Sequence, residues 1–257
     1  MRIKWFMGNK VNFMELSENE KILYMQFKKK INTEAAKAQI RKLEYNLADV
    51  TCGLAALKSA CADGKALELG GICVLPSFVR QCATYLGPER KCQVIACISY
   101  PHGGDSTDIK VKSVKRAIKD GADEVEVTVP VAQIREGNFS YLKRELKKLR
   151  SASKKRALRI DAECPLLTKE EVVRVCKVAT DCGVNSVKTS SGMYGRGNEL
   201  EMVSNVKNAV KDRCTVKADG IATMLEMSSA LDMGASVIGS KNAADVARTI
   251  LSATGIE

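Results

Sequence analysis

The chain has 257 residues, of which 45% are hydrophobic, a proportion typical of a globular protein with a sizeable core. No apolar run approaches the roughly 18 residues that a membrane-spanning helix needs, and the basic and apolar start is interrupted too early, at Gly8, to form a secretory signal. The net charge of +11 is spread over many predicted helices with few aromatic residues nearby, which favours solvated helix faces over a nucleic-acid groove.

The ten cysteines include no C-x-x-C pair, and several lie in predicted strands or helices, where cysteine acts as a small apolar side chain. We therefore expect reduced thiols in a cytoplasmic protein. His102 is the one histidine in the sequence, so no Cys/His cluster is available and a metal site is not expected.

Residues 1–42 precede the first predicted strand and are predicted to form a helical arm. Ser17 to Glu20 resemble a capping box that opens a helix running towards Lys30. Thr33 is a candidate cap for a second helix, Glu34 to Arg41. The arm could cover the bottom of a barrel, form a dimer contact or bind a partner.

From residue 43 to residue 257, short apolar runs alternate with helical stretches that often end at a glycine. Eight such units in about 210 residues predict a (β/α)8 TIM barrel, whose active site would lie at the carboxyl ends of the strands. A doubly wound sheet would need fewer strands and usually a glycine-rich first turn, which this sequence lacks. The predicted strands are 43–47, 71–75, 92–98, 124–129, 157–162, 185–189, 215–218 and 236–239. The predicted helices are 54–62, 78–86, 107–119, 141–150, 169–181, 199–210, 224–233 and 243–251.

Two lysines, Lys188 and Lys217, lie near the ends of neighbouring predicted strands. Their separation is about one strand-plus-helix unit, so adjacent parallel strands would bring them side by side. Burial and the neighbouring positive charge would each lower the pKa of Lys188, which makes its amine a candidate nucleophile. The alternative is a strand-end lysine whose amine lies in solvent.

Acidic residues lie on the same predicted strands as these lysines or on nearby ones. Glu124 and Glu126 share one face of the fourth strand because side chains alternate with a period of two. If that face is inside the barrel, the two lysines are natural counter-charges and Glu126 is a candidate for proton relay. If it is outside, both glutamates would pair with helix lysines. Residues 159–163 on the fifth strand and Glu44 on the first could place further acids inside.

The eighth predicted strand ends in Gly239, Ser240 and Lys241 and leads directly into a helix. A helix N-terminus offers free backbone N–H groups and a positive dipole end to an anion. Together with Gly220 after the seventh strand, these residues lie where many TIM barrels bind phosphate. The alternative is an ordinary helix cap by Asn242, without a ligand.

Several motifs, in order and at consistent spacing, resemble the deoxyribose-phosphate aldolase family of class I aldolases, which form a Schiff base on a TIM barrel. The resemblance covers roughly residues 43–252. The motifs are Ile72-Cys73-Val74-Leu75-Pro76, Ile98-Ser99-Tyr100-Pro101-His102-Gly103, Gly121-Ala122-Asp123-Glu124-Val125-Glu126, Leu166-Leu167-Thr168, Val187-Lys188-Thr189-Ser190-Ser191-Gly192 and Val216-Lys217-Ala218.

The resemblance implies that Lys188 forms the imine and that Lys217 keeps it unprotonated. The implied reaction is reversible cleavage of 2-deoxy-D-ribose 5-phosphate to D-glyceraldehyde 3-phosphate and acetaldehyde, without a metal or an organic cofactor. A small phosphorylated sugar is then the expected ligand, and a homodimer the expected assembly, with no nucleic-acid or membrane partner. The implied substrate-binding residues are Glu44, Gly192, Gly220, Gly239, Ser240 and Lys241.

The chain departs from the family pattern at the relay and phosphate positions. Glu126 and Glu44 stand where the family has aspartate, Asp219-Gly220-Ile221-Ala222 replaces Gly-Gly-Ile-Arg, and Lys241-Asn242 replaces Ser-Ser. Residues 254–257 also lack the tyrosine that some members carry. These departures support a second interpretation, a catalytically impaired barrel that binds another protein through its basic surface or its arm. The charge alone leaves nucleic-acid binding as a third and weaker interpretation.

Overall fold

The computed structural model describes residues 17–194 and 199–253, in which eight parallel strands close into a barrel in chain order with helices between them. The predicted TIM barrel is therefore confirmed. The strands are β1 (Leu43–Leu47), β2 (Gly71–Val74), β3 (Gln93–Ile98), β4 (Glu124–Thr128), β5 (Ala157–Asp161), β6 (Ser186–Lys188), β7 (Thr215–Ala218) and β8 (Val237–Ser240). The helices are α1 (Glu18–Ile40), α2 (Leu54–Ala66), α3 (Val79–Leu86), α4 (Thr107–Lys119), α5 (Val131–Arg135), α6 (Phe139–Ser153), α7 (Lys169–Asp181), α8 (Glu199–Val210), α9 (Met224–Asp232) and α10 (Ala243–Ala253).

The helices differ from the prediction mainly in the N-terminal arm. α1 is one continuous helix, whereas the sequence predicts two helices divided near Thr33. The stretch from Glu18 to Ile40 contains neither glycine nor proline, so nothing in it ends the first helix. Ile40 is buried in the main core, so the end of the arm packs on the barrel. The sequence also does not predict α5 or the 3-10 turns Pro76–Phe78 and Cys164–Leu166.

Some predicted features lie outside the residues that the structure describes. These are residues 1–16 of the arm, the Asn19 and Glu20 side chains of the predicted capping box, and the C-terminal residues 254–257. Within residues 17–194 and 199–253, no helix has the length and apolar character that a membrane crossing requires. All ten cysteines fall in this part of the chain and are free thiols.

Strand periodicity sorts the buried side chains into two layers. On β4, Val125 and Val127 belong to the main apolar core between the barrel and its helices, whereas Glu124 and Glu126 lie inside the barrel. Branched aliphatic residues usually fill a TIM-barrel interior. Here charged side chains occupy much of it, each at most 7% exposed. They are Glu44, Glu124, Glu126, Arg159, Asp161, Lys188 and Lys217.

Candidate active site

Lys188 ends β6 with its side chain inside the barrel, where it is 1% exposed. Its Nζ lies 2.8 Å from Asp219 Oδ2, 2.9 Å from Glu126 Oε1 and 3.2 Å from Asp161 Oδ2. The ring of Tyr100 lies on another side, with its centroid 5.6 Å from Nζ. The alternative of a strand-end lysine with its amine in solvent is therefore wrong.

Lys217 lies beside Lys188, and the two are Cα partners in the β6–β7 ladder, as their spacing predicts. Lys217 is wholly buried. Its Nζ lies 2.7 Å from Glu44 Oε2, 3.0 Å from Glu126 Oε2 and 3.2 Å from Cys73 Sγ. Glu44, which the resemblance assigns to substrate binding, thus contacts the second lysine deep in the barrel.

Glu126 joins the two lysines, because its Oε1 accepts a hydrogen bond from one and its Oε2 from the other. Arg159 on β5 holds this carboxylate with its Nη1 atom, 3.1 Å from Oε2. The same guanidinium contacts Glu44 through both Nη atoms and Glu124 at 2.8 Å. The alternative in which Glu124 and Glu126 face outward is wrong, since both are buried.

The carboxylates around the lysines outweigh the repulsion between the two amines. Burial alone would lower the pKa of Lys188, but Asp161, Asp219 and Glu126 raise that pKa well above its ordinary range. Burial also opposes the charge of Lys217, yet its thiol and carboxylate neighbours raise its pKa as well. The prediction that crowding lowers the pKa of Lys188 is therefore wrong, because carboxylates surround the amine and one of them, Glu126, lies between it and Lys217.

Asp161 and Glu163 add two carboxyl groups beside the nucleophile candidate. Asp161 is wholly buried, and burial raises the pKa of its carboxyl well above the usual range despite the opposing effect of Lys188. Among the described residues its Oδ2 has no hydrogen-bond partner, nor has Glu163 Oε2. Glu163 has left-handed backbone angles, φ 49° and ψ 50°, and its Oε1 accepts a hydrogen bond from Ser191 N. Asp161 is thus a carboxylate of raised basicity next to the Lys188 amine.

A cavity of about 160 Å³ lies at the carboxyl ends of the strands. Asp219 and Asn46 line it, and Asn46 Nδ2 donates a hydrogen bond of 2.8 Å to the Asp219 oxygen that also contacts Lys188. One shared carboxylate therefore separates the cavity from the Lys188 amine. The cavity is also lined by three of the predicted substrate-binding residues, Gly192, Gly220 and Lys241.

Of the other three predicted substrate-binding residues, Glu44 contacts Lys217, and Gly239 and Ser240 lie on β8. Gly239 leaves room for the Asp219 side chain, because a Cβ at this glycine would lie 2.5 Å from Asp219 Oδ1. Ser240 is buried, and its Oγ accepts a hydrogen bond of 3.0 Å from Asn242 N. Both residues are therefore close to the cavity but do not line it.

Glu44, Cys73 and Glu126 offer donor atoms that lie within 4.8 Å of one another, a spacing that would suit a metal ion. Lys217 Nζ contacts all three of these groups. Its positive charge therefore occupies the position that an ion would need, and the cluster serves to hold an ammonium group.

Sequence reasoning missed the contact between Asp219 and Lys188, and treated the aspartate only as part of a departure from the family pattern at the phosphate positions. A signal was present, since Asp219 follows Lys217 by two residues and the period of a strand places both on one face. Cys73 and Tyr100 lie in motifs that resemble the aldolase family, but the sequence assigns them no role. No neighbouring residue in the sequence shows that this thiol or this phenol faces the lysines.

Comparisons with known proteins identify the family of this chain. Residues 24–244 match the model of the DeoC/LacD family aldolase. A deoxyribose-phosphate aldolase of Clostridium botulinum type A is 36% identical over 178 residues, which are 69% of this chain and 84% of the relative. The one of Finegoldia magna is 28% identical over 201 residues, 78% of this chain and 94% of the relative. The tetrameric deoxyribose phosphate aldolase of Aeropyrum pernix shares the fold with a TM-score of 0.75 and 18% identity, over 88% of this chain and 96% of that one. This chain therefore belongs to the DeoC/LacD aldolase family.

Proposed function

We propose that this aldolase works through a Schiff base on Lys188 and reversibly cleaves a 2-deoxypentose into acetaldehyde and a three-carbon aldehyde. The observation that carries the proposal is the pair of buried lysines on β6 and β7 with one carboxylate between them, next to a cavity at the carboxyl ends of the strands. An imine on a lysine acts as an electron sink for the carbon–carbon bond that breaks.

The Lys188 amine must lose a proton before it attacks the aldehyde carbon. Asp161 is the proposed acceptor, because its Oδ2 lies 3.2 Å from Nζ and its raised pKa makes its carboxylate a stronger base. The same proton can return when the carbinolamine loses water to give the protonated imine. Asp219, which contacts Nζ and lines the cavity, must move aside for the aldehyde to enter.

The bond between C2 and C3 of the imine then breaks as the C3 hydroxyl loses its proton and the electron pair moves into the protonated imine to give an enamine. Glu126 is the proposed proton relay, because it contacts both lysines and is wholly enclosed. Lys217 holds Glu126 in its charged form and supplies the positive charge that balances it. Protonation of the enamine at C2 and hydrolysis release acetaldehyde and free Lys188.

The reference reaction is the cleavage of 2-deoxy-D-ribose 5-phosphate to D-glyceraldehyde 3-phosphate and acetaldehyde, since the curated relatives are named deoxyribose-phosphate aldolases. The proposal includes a cytoplasmic location, consistent with ten free thiols. A homodimer stays a prediction, and the relative from Aeropyrum pernix is described as a tetramer.

Borohydride trapping tests the nucleophile directly. Incubation of the protein with acetaldehyde and borohydride should leave an ethyl group on Lys188, identified by peptide mass spectrometry. Lys110 is an internal control in the same sample, because it is also wholly buried and ion-paired, 2.8 Å from Glu145, but lies away from the cavity. Modification of Lys110 to the same extent, or an unmodified Lys188 in folded protein, would contradict the proposal.

A second candidate is a barrel that binds another protein and has little aldolase activity. The observation that favours it is the set of three carboxylates on Lys188, which stabilises the unreactive ammonium form. Retro-aldol turnover separates the two candidates. Turnover of 2-deoxyribose or its 5-phosphate that disappears in Lys188→Met supports the enzyme, and folded protein that cleaves neither sugar supports the binding protein.

A further inference from the structure

The loop after β7 already uses its backbone N–H groups to bind the protein's own carboxylates. Glu199 Oε1 accepts from Asp219 N at 3.2 Å, and Asp219 Oδ1 accepts from Gly220 N at 2.8 Å. Glu226 Oε2 accepts from Ala222 N at 2.7 Å and from Thr223 N at 3.1 Å. The N–H groups that a phosphate would need in this loop therefore have carboxyl partners within the chain.

The Asp219 side chain accepts the hydrogen bond from Gly220 N, and it also fills the space that a phosphate would occupy. Its side chain is buried beside Gly239, where a Cβ would lie 2.5 Å from Asp219 Oδ1. Its Oδ2 is held by Lys188 at 2.8 Å and by Asn46 at 2.8 Å. A carboxylate in this position takes the place of an external anion between the ends of β7 and β8.

The described residues that line the rest of the cavity offer little positive charge to a phosphate. Within residues 17–194 and 199–253, Lys241 is the one cationic residue that lines the 160 Å³ cavity, and its Nζ is paired with Asp49 at 2.9 Å. A neighbouring cavity of about 420 Å³ is lined by Glu199, Asp219 and Glu226, and none of the described residues that line it is cationic. A doubly charged phosphate that enters either cavity meets carboxylates first, and like charges at close range repel.

We propose that Asp219 is an internal substitute for a phosphate group, so that the preferred substrate of this chain is an uncharged aldol such as 2-deoxyribose. The proposal rests on the proposed Schiff-base cleavage and narrows its substrate class. Cleavage of 2-deoxyribose breaks the same bond as before, with D-glyceraldehyde and acetaldehyde as products. The specificity then comes from repulsion of the charged competitor as much as from attraction of the neutral one.

The test is the ratio of kcat/KM for 2-deoxyribose 5-phosphate to kcat/KM for 2-deoxyribose. Asp219 contacts Lys188, so its substitution also slows the chemistry, but this loss affects both substrates and cancels in the ratio. We expect a ratio below one for the wild-type protein. Asp219→Gly, which frees Gly220 N and removes the charge, should raise the ratio by roughly tenfold or more.

Asp181→Asn is the matched control. It removes one negative charge from an exposed residue at the end of α7, just before β6 and therefore at the opposite end of the barrel. It should leave the ratio unchanged. A wild-type ratio well above one, or a ratio that Asp219→Gly does not raise, overturns the proposal.

A second measurement does not depend on catalysis or on a folded variant. Calorimetric titration of the wild-type protein with inorganic phosphate should show no binding at millimolar concentrations, and submillimolar binding would overturn the proposal. Acetaldehyde trapping on Lys188 together with a preference for the phosphorylated sugar refutes only the substitute role of Asp219. Failure of trapping, with neither sugar cleaved, refutes the Schiff-base function and this proposal with it.

Discussion

Replacement of Glu199 by glutamine should stabilise the protein at and above neutral pH and change little in mild acid. Glu199 opens α8, and its carboxylate accepts hydrogen bonds from Thr189 Oγ1 and Asp219 N. Burial raises its pKa from 4.5 to about 7, against the lowering effect of these hydrogen bonds. Glutamine keeps an oxygen that can accept both bonds and has no charge to bury.

The magnitude follows from the shift in this pKa. The folded protein binds the proton more tightly than the unfolded chain, so the contribution of Glu199 to stability is complete below pH 4.5 and is lost as the pH rises to about 7. At about 1.4 kcal/mol for each pKa unit, this difference corresponds to about 3 kcal/mol, which the partial exposure of Glu199 reduces to about 2 kcal/mol.

Urea unfolding of the wild-type protein and Glu199→Gln, followed by circular dichroism between about pH 5 and 8, measures the difference. Groups that titrate equally in both proteins cancel, so the advantage of the variant should grow with pH and level off above about 7. Glu201→Gln is the control on the same helix, because its partner Lys169 lowers the pKa of Glu201 and no gain with rising pH is expected. A difference between wild type and Glu199→Gln that does not change with pH would refute the reasoning.

Three further substitutions have clear expected outcomes. Lys110→Met should lower the free energy of urea unfolding by about 3–5 kcal/mol, because Glu145 keeps a buried charge without its partner, and a second change of Glu145 to leucine should recover part of the loss. Gly103→Ala should cost more than about 2 kcal/mol in the same assay, since φ is +62° and the added Cβ would lie 1.9 Å from a backbone oxygen. Asp161→Asn should reduce retro-aldol kcat by about 10²- to 10⁴-fold while Lys188 can still be trapped at long times, and an unchanged kcat would exclude Asp161 as the proton acceptor.

The barrel could be predicted from the sequence because its signals are local and repeated. Each strand is a short apolar run near a turn residue, and the relation between β6 and β7 follows from the length of one strand-plus-helix unit. The arm was harder to predict, because threonine often caps a helix but is also tolerated inside one, as Thr33 is here. The signal that favours one helix is the lack of glycine and proline between Glu18 and Ile40, which leaves nothing to end a first helix near Thr33.

The candidate site could be predicted only as far as strand position and alternation reach. They place Lys188, Lys217 and Glu126 inside one barrel, but they do not say which groups lie nearest to each amine. The pKa of Lys188 is decided by Asp161 and Asp219, which come from two other strand ends. A charge argument that counted only the two lysines therefore reached the wrong sign.

The two glutamates that depart from the family pattern belong to one arrangement. Glu126 and Glu44 each have one methylene more than aspartate, and a carboxylate moves by about one ångström with that change, enough to alter a contact. In this barrel the added length lets Glu126 reach both lysines, at 2.9 and 3.0 Å, while Glu44 meets Lys217 at 2.7 Å. Both carboxylates also converge on Arg159. The two carboxylates share two cationic partners, Lys217 and Arg159, so a change at one position alters the charge balance at the other. The departures on β1 and β4 are therefore better understood as one coupled change in the barrel interior than as two separate losses.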